Sequence, residues 1–250
     1  MTFAFKNEKS PQEIRKLAKQ VFCEIAWGGI HTLILILKDS DLKKVLMNEM
    51  KVEGSEYLDE TLKENKGVIC VTAHFGDFML MTLRLSLMGY PCNMIVKDAN
   101  EPVIAEMMQN MRREANIKFI PARPRLKAVS ESLKWLKNGG ILFFHADQNK
   151  ADGVYVNFLN RPAGSVEGPA LLHLRTGAKI LCAFNIRLSR NKYKIIITPP
   201  IAVQTTGNRK EDVYQITQTY TKVMEDFVRQ YPEQWYWAHN RWKTKNRTDK

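Results

Sequence analysis

An α/β fold with a mostly parallel central sheet, flanked by helices and preceded by an N-terminal helical segment, is what this chain predicts, and three observations carry it. Short apolar runs alternate with longer segments of helical spacing from Val68 onward, the pattern of a sheet whose strands are joined by helices. The first run, Val68-Ile69-Cys70-Val71-Thr72-Ala73, is mostly apolar at successive positions, as a strand covered on both faces must be. A chain of 250 residues with 44% hydrophobic composition buries one substantial core. No internal repeat or low-complexity linker interrupts it, so a single domain over 1–250 is expected, with a helical segment over 1–50 and an α/β core with a C-terminal helix over 51–250.

The elements follow in order. Ser10-Pro11-Gln12-Glu13 opens a long helix, with Ser10 as cap, proline at the first helical position and an acid in the first turn. Its second half, with Phe22, Ile25, Trp27, Ile30, Leu33, Ile34 and Leu37, is apolar nearly all round, so it is either a core helix or one that meets lipid. A short helix near 41–48 and a break at Glu53-Gly54 lead to a charged helix over 55–64 and then to the strand ending before His74. Helices are expected over 80–88, 102–115 and 126–136, and strands over 93–96, 117–120 and 141–144. Met107, Met108 and Met111 lie in the second of these helices, as core filler or as a pliant wall for an acyl chain. Gly153 to Phe158 alternates like a strand, Asn160 to Gly164 reads as a turn, and Gly168-Pro169 opens a helix stopped by Gly177. A strand pair over 179–187 and 193–198 precedes an amphipathic helix over 211–229, and the aromatic and basic run from Tyr231 to Lys243 reads as a packed terminal helix.

The charge balance narrows the partners. Thirty-eight Lys+Arg against 26 Asp+Glu give a formal charge of +12, which favours an acidic partner: nucleic acid, anionic headgroups or an acidic carrier protein. The bases are dispersed and no nucleic-acid motif is present, so nucleic acid is not the expected choice. Cys23, Cys70, Cys92 and Cys182 stand singly, without the spacing of a zinc site or a disulfide framework. No apolar run reaches the length of a membrane span, because Glu24, Gly28-Gly29 and His31 break the nearest candidate, and the N-terminus lacks the form of a signal peptide.

His74 is the chemical focus. It stands where a buried strand hands over to a helix opened by Gly76, and ligands of open α/β sheets sit at that edge, near unpaired helix N–H groups. His74 either does chemistry there or merely ends the strand.

Four segments together resemble a known family. They are Thr72-Ala73-His74-Phe75-Gly76-Asp77-Phe78; Asp147-Gln148 with Gly153-Val154-Tyr155-Val156; Arg161-Pro162-Ala163 with Gly168-Pro169-Ala170 and Arg175-Thr176-Gly177-Ala178; and Pro232-Glu233-Gln234-Trp235 through Arg241-Trp242-Lys243. In order, and over about 5–245, the chain resembles the late lipid A acyltransferase branch of the lysophospholipid acyltransferase superfamily. The resemblance implies a glycerol-3-phosphate acyltransferase-like fold at the cytoplasmic face of a bacterial inner membrane. It implies an acyl carrier protein or acyl-coenzyme A as donor, a lipid acceptor, contact with the membrane surface and no cofactor. Members of that branch usually carry a transmembrane helix ahead of the segment similar to Ala4-Phe5, so the resemblance implies an anchor either removed or dispensed with here.

In the family, an acid five positions after the histidine orients it; here that position is Met79, and no other histidine of the chain has an acid at that spacing. Two carboxylates offer themselves instead. Asp147 ends another apolar strand, and parallel strands gather their ends on one edge, so it can meet His74 or else simply turn the chain. Asp77 is nearer in sequence but stands where a helix cap is needed. Arg161, stiffened by Pro162, either forks onto an acidic substrate group or forms a structural salt bridge. Gly76 and Gly168 either lend helix-start N–H groups to a substrate or only begin helices. The Trp235, Trp237, Trp242, Arg241 and Lys243 set either packs in the core or rests its basic rim on anionic lipid. Without its acid the chain is alternatively a lipid-binding relative of impaired turnover.

Overall fold

The computed structural model describes residues 1–6, 8–37, 44–97, 101–103, 105–106, 109–110, 118–189 and 191–244. A seven-stranded sheet runs in the order β1-β9-β8-β2-β5-β3-β4, with β1 Met50–Glu53, β2 Val68–Thr72, β3 Cys92–Val96, β4 Lys118–Pro121, β5 Ile141–His145, β8 Lys179–Ser189 and β9 Lys192–Ile197. The five strands β8, β2, β5, β3 and β4 are parallel, while β9 turns back antiparallel on β8 and carries β1 alongside it. The mostly parallel sheet is therefore present, closed at one side by the expected β8–β9 pair.

Alternation along β2 splits the core. Ile69 and Val71 join Leu142, Phe144, Ile180 and Cys182 on one face, whereas Val68 and Cys70 join Ile141, Phe143 and Leu181 on the other. Helices α4 (Arg125–Lys137), α5 (Gly168–Thr176) and α6 (Arg209–Gln230) cover the first face; α2 (Ser55–Leu62) and α3 (Phe78–Leu87) cover the second. Helix α1 (Pro11–Leu37) begins with a reciprocal cap, in which the Glu13 N–H donates to Ser10 Oγ and the Ser10 N–H to Glu13 Oε2. It then passes from one face to the other: Leu17 and Val21 lie in the first cluster, and His31 reaches Tyr193 of the second. The second half of α1 is not apolar contact all round, since Phe22 and Ile30 are 73% and 57% exposed. Among the described residues no helix is long and apolar enough to cross a membrane.

Three segments depart from the sequence reading. Of the turn expected over 160–164 only Asn160 turns the chain, and the rest is strand. Leu159 and Asn160, with φ of +49° and +64°, form a two-residue hairpin turn between β6 (Val154–Phe158) and β7 (Arg161–Ser165). Both central residues on the positive side is what a hairpin's twist demands, and Pro162 is tolerated in a two-stranded edge. Glu225 holds that turn by accepting from the Leu159 N–H at 2.7 Å, and Gln218 pairs with both backbone groups of Asn157. The terminal segment is not a helix either: a single 3-10 turn, Pro232–Gln234, gives way to irregular chain because its bonds go to other elements. Residues before Glu53 form a π-helical turn, Val45–Glu49, and then strand β1, whose pairing with β9 lies too far along the chain for local pattern to reveal. Residues 41–43 of the expected short helix, Met107, Met108 and Met111 of the expected helix over 102–115, and residue 117 of the expected third strand lie outside the described residues.

Candidate active site

Strands β2 and β5 pair in register, Thr72 opposite His145, so the residues leaving their carboxyl ends emerge side by side. The pairing continues with the Ala146 N–H donating to the Thr72 carbonyl at 2.9 Å. Two positions on from that register, His74 and Asp147 meet. His74 Nδ1 lies 2.8 Å from Asp147 Oδ1, and the His74 backbone N–H donates to Asp147 Oδ2 at 2.9 Å. Trp235 Nε1–H donates to the same Oδ2 at 3.0 Å.

Burial alone pushes the Asp147 carboxyl up, but the His74 ring, the His74 backbone N–H and the Trp235 indole together bring it down to about 2. An ionised carboxylate only accepts, so the bonded Nδ1 must carry the ring proton and the lone pair of His74 lies on Nε2. The His74 side chain is 23% exposed, against 4% for Asp147. The pair thus combines a sheltered carboxylate with a reachable imidazole, which can take a proton at Nε2 while the resulting cation stays beside a fixed negative charge.

The surroundings hold this geometry. Phe78, at the start of α3, packs edge-on to both His74 and His145, with centroids 4.9 and 4.8 Å apart. The His145 ring lies 4.8 Å from that of His74, and its buried Nε2 has no hydrogen-bond partner among the described residues. Burial, followed by the neighbouring His74, pushes His145 down to about 3, against the pull of Asp147. It is therefore neutral wherever His74 works near neutral pH. The terminal segment acts as a clamp: the Gly76 N–H donates to the Gln234 carbonyl at 2.8 Å, the Tyr236 N–H to the His74 carbonyl at 3.0 Å, and Gln234 pairs through its amide with both backbone groups of Arg187. Arg241, fully buried, donates to the carbonyls of Gly164 and Gln148 and to Ser165 Oγ, tying the β6–β7 hairpin to the loop after Asp147.

The other sequence candidates fall elsewhere. Asp77 precedes α3 but makes no side-chain capping bond. It is buried, its carbonyl accepts from Asn185 Nδ2 at 2.8 Å, and its carboxylate bonds Tyr193, whose hydroxyl also meets His31 Nδ1 at 2.8 Å. Gly76 uses its N–H on Gln234, and its φ of +50° and the Asn185 carbonyl, 2.4 Å from where a Cβ would stand, explain the glycine. Gly168 packs on the Phe144 ring, on the opposite face of β5 from His145. Arg161 starts β7 with its guanidinium 4.6 Å from the Phe3 ring, in a cleft shared with Lys6, Glu8 and Asn160. Arg187 is paired with Glu24 of α1. Sequence reasoning missed the indole of Trp235 as a partner of Asp147 and His145 as a neighbour of His74. The first carried a signal in the Pro232 to Trp235 motif, the second only in its place two residues before Asp147.

The family model described as "Bacterial lipid A biosynthesis acyltransferase" matches residues 1–244. The lipid A biosynthesis palmitoleoyltransferase of Escherichia coli (strain K12) is 24% identical over 245 residues, which cover 95% of this chain and 75% of that protein. The lipid A biosynthesis lauroyltransferase of the same strain is 25% identical over 243 residues, again 95% and 75% of the two chains. A lipid A biosynthesis acyltransferase of Shigella flexneri is 24% identical over 245 residues, with the same coverage.

Proposed function

The chain belongs to the bacterial lipid A biosynthesis acyltransferase family, and on that premise we propose that it transfers a fatty acyl group from a thioester donor to a hydroxyl of a lipid A precursor or a related glycolipid, with His74 as general base and Asp147 as the acid that orients it. The observation that carries this reading is the pair of hydrogen bonds from His74 to Asp147, which leaves Nε2 as the proton acceptor. The acceptor hydroxyl gives its proton to Nε2 as its oxygen bonds the thioester carbonyl carbon. The tetrahedral adduct then expels the thiolate, which takes the proton back from the imidazolium, leaving an ester and a free thiol. Asp147 stabilises the transient imidazolium, and the neutral His145 ring beside it adds no competing charge. The donor is an acyl carrier protein or acyl-coenzyme A; the net charge of +12 suits either. Arg161, with Lys6 in the same cleft, is the proposed seat for an acidic group of the acceptor.

On this reading Met79 is not a defect, because the atom of His74 that a family acid would orient is already held by Asp147. Labelled acyl transfer to lipid acceptors should vanish in His74→Ala, fall about 10³- to 10⁴-fold in kcat in Asp147→Asn, and survive in Asp77→Asn. Met79→Glu should bring no gain. Acyl-chain binding without turnover in the unmodified chain, or a large gain in Met79→Glu, would instead identify a lipid-binding relative with an impaired site.

A further inference from the structure

Two residues of the terminal segment are turned inward, Trp235 at 1% exposed and Arg241 fully buried, whereas Tyr236, at 41%, and Lys243 stay exposed. At the edge of the sheet where β2 and β5 end beside His74, α1 presents an outward stripe at helical spacing, Lys19, Phe22, Ala26 and Ile30, basic at its start and apolar at its end. That stripe is held to the site from beneath, because Gly28 packs on the Asp77 carboxylate, Glu24 pairs with Arg187, and His31 bonds Tyr193. Strand β4 ends on the same edge, since it is parallel to β3 and β3 to β5. Four residues on, α4 begins at Arg125, and Leu126, 86% exposed, stands between exposed Arg123, Arg125 and Lys127; Lys127 lies 3.8 Å from Glu131, and the Arg125 charge reaches the Asp152 carboxyl, which it helps to lower.

We infer that this edge is a docking face for an anionic bilayer, with Phe22, Ile30 and Leu126 entering the headgroup boundary and Lys19, Arg123 and Arg125 resting on the anionic headgroups. Apolar side chains this exposed, rimmed by cations and set on the edge that bears the reactive histidine, match a surface that offers hydrocarbon below negative charge. Charge complementarity excludes a second copy of this basic face as the favoured occupant. Docked in this way, the chain would hold His74 at the level where a lipid acceptor presents its headgroup. The inference rests on the proposed function only in taking the acceptor to be a lipid.

The test is co-sedimentation of the full chain with vesicles of phosphatidylcholine alone and of phosphatidylcholine mixed with phosphatidylglycerol. The unmodified chain should pellet with the mixed vesicles, and binding should weaken about fivefold for each cation removed by Arg123→Gln and Arg125→Gln. Phe22→Glu with Ile30→Glu should abolish it. As a control, Lys134→Gln with Lys137→Gln changes the far end of α4, about 14 to 18 Å from Arg125 and beyond the reach of screened charge, and should leave binding intact. Melting curves establish that each variant is folded. Equal losses in the control, undiminished binding in the face variants, or a vesicle-indifferent chain whose dimers dissolve on Phe22→Glu would each overturn the assignment. His74→Ala should bind vesicles normally, so failure of docking and failure of acyl transfer register in separate measurements.

Discussion

Asp147 is held by three donors, and its protonation is tied to the stability of the fold. Its carboxyl lies near 2 in the folded chain and near the ordinary value of about 3.9 once unfolded. A depressed carboxylate contributes stability that is present above the unfolded value and lost as pH falls through the folded one. The contribution is about 2 kcal/mol, disappearing between about pH 5 and 2. His145 acts in the same direction. It is neutral in the fold down to about 3, while the unfolded ring takes its proton near 6.5, so acid begins to favour the unfolded chain already near that value. Urea midpoints measured against pH should therefore decline below about 6.5 and steepen below 5, and Trp235→Phe, which removes one donor to Asp147, should flatten the lower part of that decline. At this scale His74 and Asp147 could be picked out from sequence because each ends an apolar run. The indole that completes the site could not, since 88 positions separate Trp235 from Asp147.

The loop from Ala73 to Asp77 behaves as an element in its own right, although it has no repeating structure. It is fastened by Gln234 and Tyr236 on one side and by Asn185 on the other. Gly76 is the position where that fastening leaves no room, with a positive φ and a carbonyl where a methyl group would go. Gly76→Ala should cost on the order of 2 kcal/mol or more, seen as a lower urea midpoint at unchanged slope, and should reduce turnover as well because the same loop carries His74. The cap at Ser10 was plain in the sequence, whereas that at Asn208, whose side chain accepts from the N–H groups of Lys210 and Glu211, starts its helix two residues before the expected 211. The aromatic spacing of the terminal segment suits a helix and a strap alike, and only the partners it finds on the His74 loop and on Asp147 distinguish the two.

Across the molecule, both core clusters are built on the same strands, and their helices cannot detach independently without exposing one face of β2, every residue of which is buried. Unfolding should be one cooperative transition, with near- and far-ultraviolet circular dichroism changing together; a separate early transition for α1 or the terminal segment would contradict it. The family, the α/β class, the strand-helix alternation and the residues ending β2 and β5 were determined by the sequence itself, because periodicity and local punctuation act over a few neighbouring residues. The tertiary structure alone decided which carboxylate the imidazole faces, that Asp77 turns instead to Tyr193, and that the tryptophans and Arg241 of the last segment face inward while part of α1 faces out. Those outcomes depend on strand order and on contacts between distant parts of the chain, for which no local pattern carries a record.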